Sequence, residues 1–393
     1  MKKILFIHHA TGWGGAPINM LNIINSLDNS KYDVEVLLLK DSIVSEKLRE
    51  HNIKVSIARS PFYKNNYRYF EHSEAGYIKW FQIHKLIRLS ILWLLSKYYF
   101  AWRELEELQY DIAHLNSSVL TDWLAPAKRK GKVIIHIQEP FRKGKFDGLS
   151  CFFTLQMRRY ADSIIAISKD NAARINIPLK TTVIYNYASI PVLSPTKDSY
   201  KSKKVLYLGG AFYIKGFYAL VDSLKHLDED IIVYFGGSYN DRHVIGLKEL
   251  MRKILRKVSP ERRKRAKALK TMRSSKSAIE IGLTSNVDRY LDETCCLISA
   301  FSVPHFSRPI IEAHLHHKPV IASDVDGMDE IVTNNVSGII VKKNDSCKLA
   351  EAINYLCNNP TIAQNMGELG FESAIKLYSP SNIEKFSNLY DSL

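Results

Sequence analysis

Cysteine is scarce in this chain, and its placement excludes its usual uses. There are five among 393 residues. Cys151, Cys295, Cys296, Cys347 and Cys357 show no metal-ligand spacing, and an odd number argues against a disulfide framework. A reducing, cytoplasmic setting is the simplest expectation. Long apolar runs are also missing. The start, Met1–His9, holds only the short apolar stretch Ile4–Ile7 and no small-residue cleavage site, so it reads as a first buried strand and not a signal peptide. The longest uncharged stretch of the aromatic segment 78–103 is Leu89–Ser96, too short to span a bilayer. No internal repeat is visible. Acidic residues are nearly absent from Arg252 to Lys276, where twelve Lys or Arg stand against Glu261 alone. That insertion carries most of the net charge of +15. The basicity therefore belongs to one segment and not to the fold. No nucleic-acid motif accompanies it, so specific nucleic-acid binding is not expected.

What remains is the pattern of an α/β protein. An apolar content of 46% and a length of 393 residues allow two domains with real cores. Short apolar runs at Ile4–Ile7, Val34–Leu39, Asp111–Leu115, Val133–Ile137, Ser163–Ile167 and Val183–Tyr185 read as strands. The spacing predicts helices between them, the first over Ile18–Leu27. After the polar stretch 194–204 a second set follows: Val205–Leu208, Ile231–Phe235, Ala278–Ile281, Cys296–Ser299, Val320–Ala322 and Gly338–Val341. A helix over Lys348–Leu356 and a last one over Asn382–Leu393 close the chain. Buried strands alternating with helices indicate doubly wound parallel sheets. The expected division is a first domain over 1–193, a linker over 194–204 and a second domain over 205–379 with the basic insertion 252–276. The helix 380–393 is expected to pack back on the first domain.

One stretch carries most of the functional information: Phe306-Ser307-Arg308-Pro309-Ile310-Ile311-Glu312-Ala313, followed by the strand Val320–Ala322. Pro309 suits a first helical turn, where its missing N–H costs nothing. Unpaired amides at that helix start favour an anion such as a diphosphate. Glu312 falls one turn inside, where a carboxylate can accept bonds from sugar hydroxyls. Two glycine loops follow first strands. In Gly12-Trp13-Gly14-Gly15-Ala16-Pro17 a glycine turn opens a helix and lets a ligand approach the backbone. It is not a dinucleotide fingerprint, because Pro17 stands where the third glycine belongs, and no Gly-Lys-Ser/Thr follows to make a phosphate-binding P-loop. In Leu208-Gly209-Gly210-Ala211-Phe212-Tyr213-Ile214-Lys215-Gly216, Lys215 is a candidate point cation over a diphosphate.

These residues resemble the donor-binding segment of the family-four retaining glycosyltransferases, the glycosyl transferases group 1 type. The resemblance continues through Gly327, Glu330 and Gly338. It implies a GT-B fold, in which two Rossmann-like domains face a central cleft. It further implies a donor site of Gly209, Gly210, Lys215, Phe306, Ser307, Arg308, Glu312, Gly282 and Leu283, with Glu312 on the ribose and backbone groups near Gly282 and Leu283 on the base. On the first domain it implies an acceptor or diphosphate loop at Gly14, Gly15 and Ala16, with Glu139 orienting the acceptor. His136, in His136-Ile137-Gln138-Glu139-Pro140, would face the donor sugar as a hydrogen-bonding group. His136, Lys215 and Glu312 are the implied catalytic set. Ser168-Lys169 and Asn186 resemble landmarks that shape the cleft. No cofactor and no metal are expected; the co-substrate is a nucleotide-diphosphate sugar. Two positions depart from the family. Gly210 replaces a usual Arg, and Pro304 stands where the first Glu of a Glu-x7-Glu pair belongs. The departures put sugar recognition in doubt more than nucleotide binding, and they support the alternative of a non-catalytic, glycosyltransferase-like protein.

The remaining expectations concern where the protein works. Segment 78–103 mixes Trp, Tyr, Phe, Leu and Ile with Lys79, Lys85, Arg88 and Lys97. It reads either as a helix packed on the first domain or as one lying at a membrane surface. The insertion 252–276 suits an anionic membrane, a phosphate-bearing acceptor or a solvated charged helix. Together they suggest a glycan or lipid-linked acceptor in bacterial surface polysaccharide assembly, with the protein peripheral to the inner face of the membrane. His314, His316 and His317 are expected to be surface residues.

Overall fold

The computed structural model describes residues 1–68, 70, 82–142, 147–186, 197–239, 260–284, 286–379 and 381–393. The expectations for 78–81, for 252–259 and for the linker before 197 lie outside these residues. The chain forms two units, Met1–Ala188 with Tyr378–Leu393, and Ser189–Leu377. Each is α/β with an all-parallel sheet.

The first unit has seven strands: β1 (Lys2–His8), β2 (Tyr32–Leu38), β3 (Lys54–Ile57), β4 (Ile112–Leu115), β5 (Lys132–Ile137), β6 (Ser163–Ala166) and β7 (Thr181–Val183). Their order is β3-β2-β1-β4-β5-β6-β7. β1 lies at the centre, with Ile4 opposite both Val34 and Ile112. Its run Ile4–Ile7 is buried on both faces, as a central parallel strand must be. The edge strand β3 was not expected, because Lys-Val-Ser-Ile alternates and is only half-buried. β7 lies two residues before the expected position, since its Thr residues extend an edge that has no apolar run. One face of the sheet is covered partly by the C-terminal helix Ser381–Ser392. Phe386 and Tyr390 join the core there. Lys2 Nζ donates to the Tyr390 carbonyl at 2.6 Å, and the Tyr32 hydroxyl donates to Asp391 at 2.6 Å.

The aromatic segment, described from Gln82 onward, is helical. Helix Ile83–Leu95 runs into a π-helical turn at Ser96–Phe100 and then into helix Ala101–Leu105. Leu89, Trp93, Ala101 and Leu105 are buried in the unit-1 core.

The second unit has six strands: β8 (Lys204–Tyr207), β9 (Ile232–Gly236), β10 (Ala278–Gly282), β11 (Cys296–Ser299), β12 (Val320–Ser323) and β13 (Gly338–Val341), ordered β10-β9-β8-β11-β12-β13. In both sheets the direction of winding reverses beside the first strand, between β1 and β4 and between β8 and β11. Such reversal points are where open α/β sheets leave room for ligands at the carboxyl ends of strands.

The three histidines after Glu312 are not surface residues as a group. His314 and His316 are 1% and 4% exposed. Their helix, Arg308–Leu315, is pressed against helix Pro360–Leu377, whose Gly370 allows the approach; a Cβ there would stand 2.7 Å from the His314 ring. His314 Nε2 pairs with the Ser337 carbonyl at 3.1 Å. Burial lowers the His314 pKa from 6.5 to about 4. The folded state therefore resists a proton that the unfolded chain accepts below about 6.5, and the stability so gained is lost as pH falls from 6.5 toward 4. His314→Asn removes this titration. Between pH 6.5 and 5 the wild type is expected to lose about 2 kcal/mol more than the variant, read from denaturant unfolding at each pH.

Candidate functional site

In the second unit the chain leaves β8 through two glycines whose lack of a side chain is required. A Cβ on Gly209 would stand 2.0 Å from the Tyr207 hydroxyl. That buried hydroxyl supports the loop from beneath, in reach of the carbonyls of Gly210 and Lys215, each at 3.1 Å. Gly210 has φ +62, and a Cβ there would meet the Ser238 backbone at 2.9 Å. Gly216 has φ +79 and lies against the Ala300 carbonyl. The loops after β8 and β9 are laced together by Gly210 N–H to Gly236 and Ala211 N–H to Ser238. The loop after β10 joins them through Gly237 N–H to the Gly282 carbonyl at 2.7 Å. Leu283 beyond it is 83% exposed.

Lys215 ends the first of these loops, half-buried, and burial lowers its pKa. Its charge reaches His305, whose pKa is lowered to about 4, first by burial and then by Lys215. The His305 ring stacks on Phe301 with centroids 4.0 Å apart. The residue after Pro304 thus places a neutral imidazole beside Lys215. Two bonds fasten the loop after β11 to the Lys215 loop: Ser302 N–H to the Ile214 carbonyl at 3.0 Å, and the Ser302 hydroxyl to Tyr213 at 3.3 Å.

Helix Arg308–Leu315 starts at Ser307 with Pro309 in its first turn, and the Ser307 side chain does not cap it. Instead the Ser299 hydroxyl donates to the Ser307 hydroxyl at 3.0 Å. The helix start is therefore left to other partners. Phe306 before it is half-buried. Arg308 Nε donates to Glu312 Oε1 at 2.7 Å, one turn along. Burial raises the Glu312 pKa, Arg308 opposes this, and Asp288 adds to the rise. Asp288 and Asp292 hold His316 at 3.1 and 3.3 Å. Asp288 follows Asn286, which caps its helix, so the loop after β10 and the Glu312 helix are tied side by side.

The unit-1 candidates divide into two groups. Gly14 precedes helix Gly15–Ser26, and the Ala16 carbonyl accepts from Asn116 at 3.3 Å. Asn116 also contacts His8 Nδ1 at 3.2 Å and accepts from Gln138 at 2.6 Å, and Asn19 donates to Gln138 at 3.4 Å. A polar net thus joins the glycine loop to the ends of β1, β4 and β5. Glu139 is committed to structure. Its two oxygens accept from Ser117 at 2.5 Å and from the Ser118 amide and hydroxyl at 3.2 and 3.0 Å. Burial raises its pKa against those bonds. His136 stands apart from this net, beneath the C-terminal helix. Its Nδ1 pairs with His114 Nε2 at 3.2 Å, and its ring lies 5.6 Å from Phe386. Burial lowers its pKa to about 3, so the ring is neutral. Among the described residues the Nε2 atoms of His136 and His8 are buried without a hydrogen-bond partner. Buried polar atoms are seldom left so, and each marks a place for a water or a ligand group. Ser168 caps the helix Lys169–Ile175.

The sequence reading missed Arg265. The basic helix Pro260–Ser274 packs on the second unit through Met272, and Arg265 donates to the carbonyls of Ala211 and Tyr239, both at 3.2 Å. It clamps the residue after Gly210. The signal was present: Arg265, Ala268, Leu269 and Met272 share one helical face, but eleven similar cations hid it. Two stretches have Asp-x-Asp spacing. Asp228 and Asp230 engage Asn354, Asn358 and Lys203 at the surface, and Asp324 and Asp326 follow β12. Among the described residues no group of three or more His, Cys, Asp or Glu is placed to hold a metal ion.

The architecture of these two parallel-sheet units is the GT-B fold. It is shared across the full length of HepE from Anabaena, solved with UDP-glucose, at a TM-score of 0.75 and 17% identity over 100% of both chains. At that identity the likeness is one of fold. Residues 194–372 match the family model of the glycosyl transferases group 1. The chain is 26% identical over 238 residues to an uncharacterized glycosyltransferase, MJ1178, of Methanocaldococcus jannaschii, covering 59% of this chain and 60% of that protein. It is 27% identical over 113 residues to the poly(ribitol-phosphate) alpha-N-acetylglucosaminyltransferase of Staphylococcus aureus, covering 28% of this chain and 23% of that protein. The matched regions thus span about three fifths and about a quarter of these relatives.

Gly210 explains one departure from the family pattern in backbone terms. Its φ of +62 and its contact with Ser238 leave no room for an arginine. Gly210→Arg is expected to destabilise the protein by about 1–3 kcal/mol and not to strengthen nucleotide binding. Chemical denaturation and a nucleotide titration on the same sample check both.

Proposed function

We propose that this protein is a retaining glycosyltransferase that moves a sugar from a nucleotide-diphosphate sugar, held by the second unit, to a glycan acceptor. The single observation that carries the reading is the Arg308–Glu312 pair at a helix start that Ser307 does not cap, with Lys215 beside His305 of the loop leading into it. Two cations and the positive end of a helix suit a departing diphosphate, and a carboxylate one turn away suits the ribose hydroxyls. In ligand-free protein Arg308 occupies Glu312. A donor takes over this bond, with ribose hydroxyls donating to Glu312 while Arg308 turns to phosphate oxygens. The loop near Gly282 and Leu283 offers backbone groups to the base, and Phe306 and Ser307 line the diphosphate.

In the reaction the acceptor oxygen bonds to the anomeric carbon as the bond from that carbon to the diphosphate oxygen breaks. The acceptor proton leaves with the diphosphate, which Lys215 and Arg308 stabilise. Attack from the face of the leaving group keeps the anomeric configuration, as the resemblance at Phe306–Ala313 implies. His136, with its pKa near 3, is too weak a base to take a proton. Its ring is fully buried between His114 and Phe386, so the hydrogen-bonding role toward the sugar expected of it is not carried into this reading. Gly14, Gly15 and Ala16 belong to the acceptor side, with Glu139 stiffening the strand ends behind them. With cations already supplied by the chain, the reaction needs no metal. A polymeric or lipid-linked glycan is the acceptor class, in keeping with the staphylococcal relative named for poly(ribitol-phosphate).

A thermal-shift panel of UDP, GDP, ADP and their sugar conjugates tests the reading. One base is expected to raise the melting temperature of the wild type, and Glu312→Ala to weaken that nucleotide by roughly ten- to hundredfold, the loss of a charged hydrogen bond of about 1.5–3 kcal/mol. Lys215→Ala is expected to lower kcat/KM by about a hundredfold or more without changing the preferred base. No shift with any nucleotide, on folded protein, would favour a non-catalytic protein in which Pro304 and Gly210 mark the lost contacts.

A further inference from the structure

The first unit presents an apolar face that its own core does not use. Along helix Ile83–Leu95, the π-helical turn and helix Ala101–Leu105, the exposed side chains Ile83, Ile87, Ile91, Tyr98 and Trp102 recur at steps of four residues, with one step of seven from Ile91 to Tyr98. They are 60%, 55%, 52%, 68% and 38% exposed. The opposite face, through Leu89, Trp93 and Ala101, is buried. Helix Gly148–Tyr160 lies alongside. Trp93 meets Phe152 edge-on at 5.0 Å, and Lys97 Nζ donates to Gln156 at 2.7 Å. This second helix adds Leu155, 58% exposed, to the same face. Contiguous apolar surface of this extent marks an interaction site.

The charge around the ridge selects the occupant. From Gln82 to Arg103 there is no Asp or Glu, and none from Gly148 to Tyr160. The charged groups exposed there are Lys85, Arg88, Arg103, Arg158 and Arg159. A second copy docking through the same patch would set these cations against themselves. An anionic lipid surface meets them with opposite charge, and Tyr98, Tyr99 and Trp102 are the side chains that settle at the headgroup level. Among the described residues no helix is long and apolar enough to cross a membrane, so the face lies on the bilayer and does not span it.

We propose that this face of the first unit docks the protein on an anionic membrane surface, with the ridge Ile83–Trp102 and Leu155 entering the headgroup layer. The inference is independent of the donor-site reading. Its test is co-sedimentation of the full chain with vesicles of equal parts phosphatidylglycerol and phosphatidylcholine, and with phosphatidylcholine alone. The wild type is expected to sediment with the anionic vesicles and much less with the neutral ones. Ile87→Glu with Ile91→Glu, both on the exposed face, is expected to lower the bound partition coefficient by about tenfold or more. Lys267→Gln with Lys270→Gln, on the basic helix of the other unit, lowers net charge by the same amount and is expected to cost much less. Equal binding by the wild type and the ridge variant would overturn the proposal, as would absence of binding by the wild type. It would also fail if the wild type were a dimer in solution that the ridge variant dissolves, because the occupant would then be a second copy.

Discussion

The buried hydroxyl of Tyr207 is the point on which the second unit's site rests. It lies under the turn that follows β8 and reaches the carbonyls at both ends of it, Gly210 and Lys215. A buried carbonyl without a partner costs about 1–3 kcal/mol, and the single phenol proton, shared between the two carbonyls, ties both ends of the turn together. The phenol fits only because Gly209 has no side chain. The turn in turn fixes the loop after β9 through Gly210 and Ser238, the loop after β11 through Ser302, and Arg265 through Ala211. Lys215 is therefore delivered by a chain of backbone constraints, and its long side chain needs to supply only charge. A lysine on an unsupported loop would lose that charge to side-chain entropy and solvent screening.

Much of the fold was legible because it rests on burial in one dimension. A strand buried on both faces carries an unbroken apolar run, as do Ile4–Ile7 of β1, Val133–Ile135 of β5, Cys296–Ile298 of β11 and Val320–Ala322 of β12. The edges were not legible for the same reason. β3 and β7 are half-buried, and their Lys, Ser and Thr residues read as loop. The helix Arg308–Leu315 shows the limit from the other side. Its histidines looked like surface groups because His is usually polar and wet. What buries His314 is Gly370, some fifty residues on, and a contact between two helices leaves no periodic trace in either alone.

The candidate site was legible where chemistry follows from spacing. Pro309 at a helix start and Glu312 one turn in are local facts, and the structure places them so. The Arg308–Glu312 pair is also local, an i, i+4 contact that sequence alone allows. The rest depends on tertiary approach. Glu139 looked free to meet a ligand, yet Ser117 and Ser118 from the neighbouring strand end take both its oxygens. His136 lies at a strand end as expected, but pleat alternation points it at Phe386, a residue of the far C-terminal helix. Asn116 and Gln138, neither singled out by motif, hold the net that ties the glycine loop to the sheet.

The two segments that stand out by composition resolve into different physics. The basic segment, as far as it is described, is not a loose charged arm. Met272 anchors its helix, Lys264 lies over the Tyr218 ring, and Arg265 spends its charge on backbone carbonyls of the glycine loop. A cation held this way has exchanged hydration for order, and what it contributes is the shape of the loop. The aromatic segment has the opposite arrangement. Lys97, buried, is enclosed by Gln156 and the rings of Trp93, Tyr98 and Tyr160, while exposed cations of the segment border apolar side chains that no described residue of the first unit covers. Leaving such side chains in water costs about 25 cal/mol for each Å2 of apolar surface, so the unit bears a standing penalty that a lipid surface removes. High charge thus marks the place where the second unit is stiffened. The absence of acid beside exposed isoleucine marks the place where the first unit is unfinished on its own.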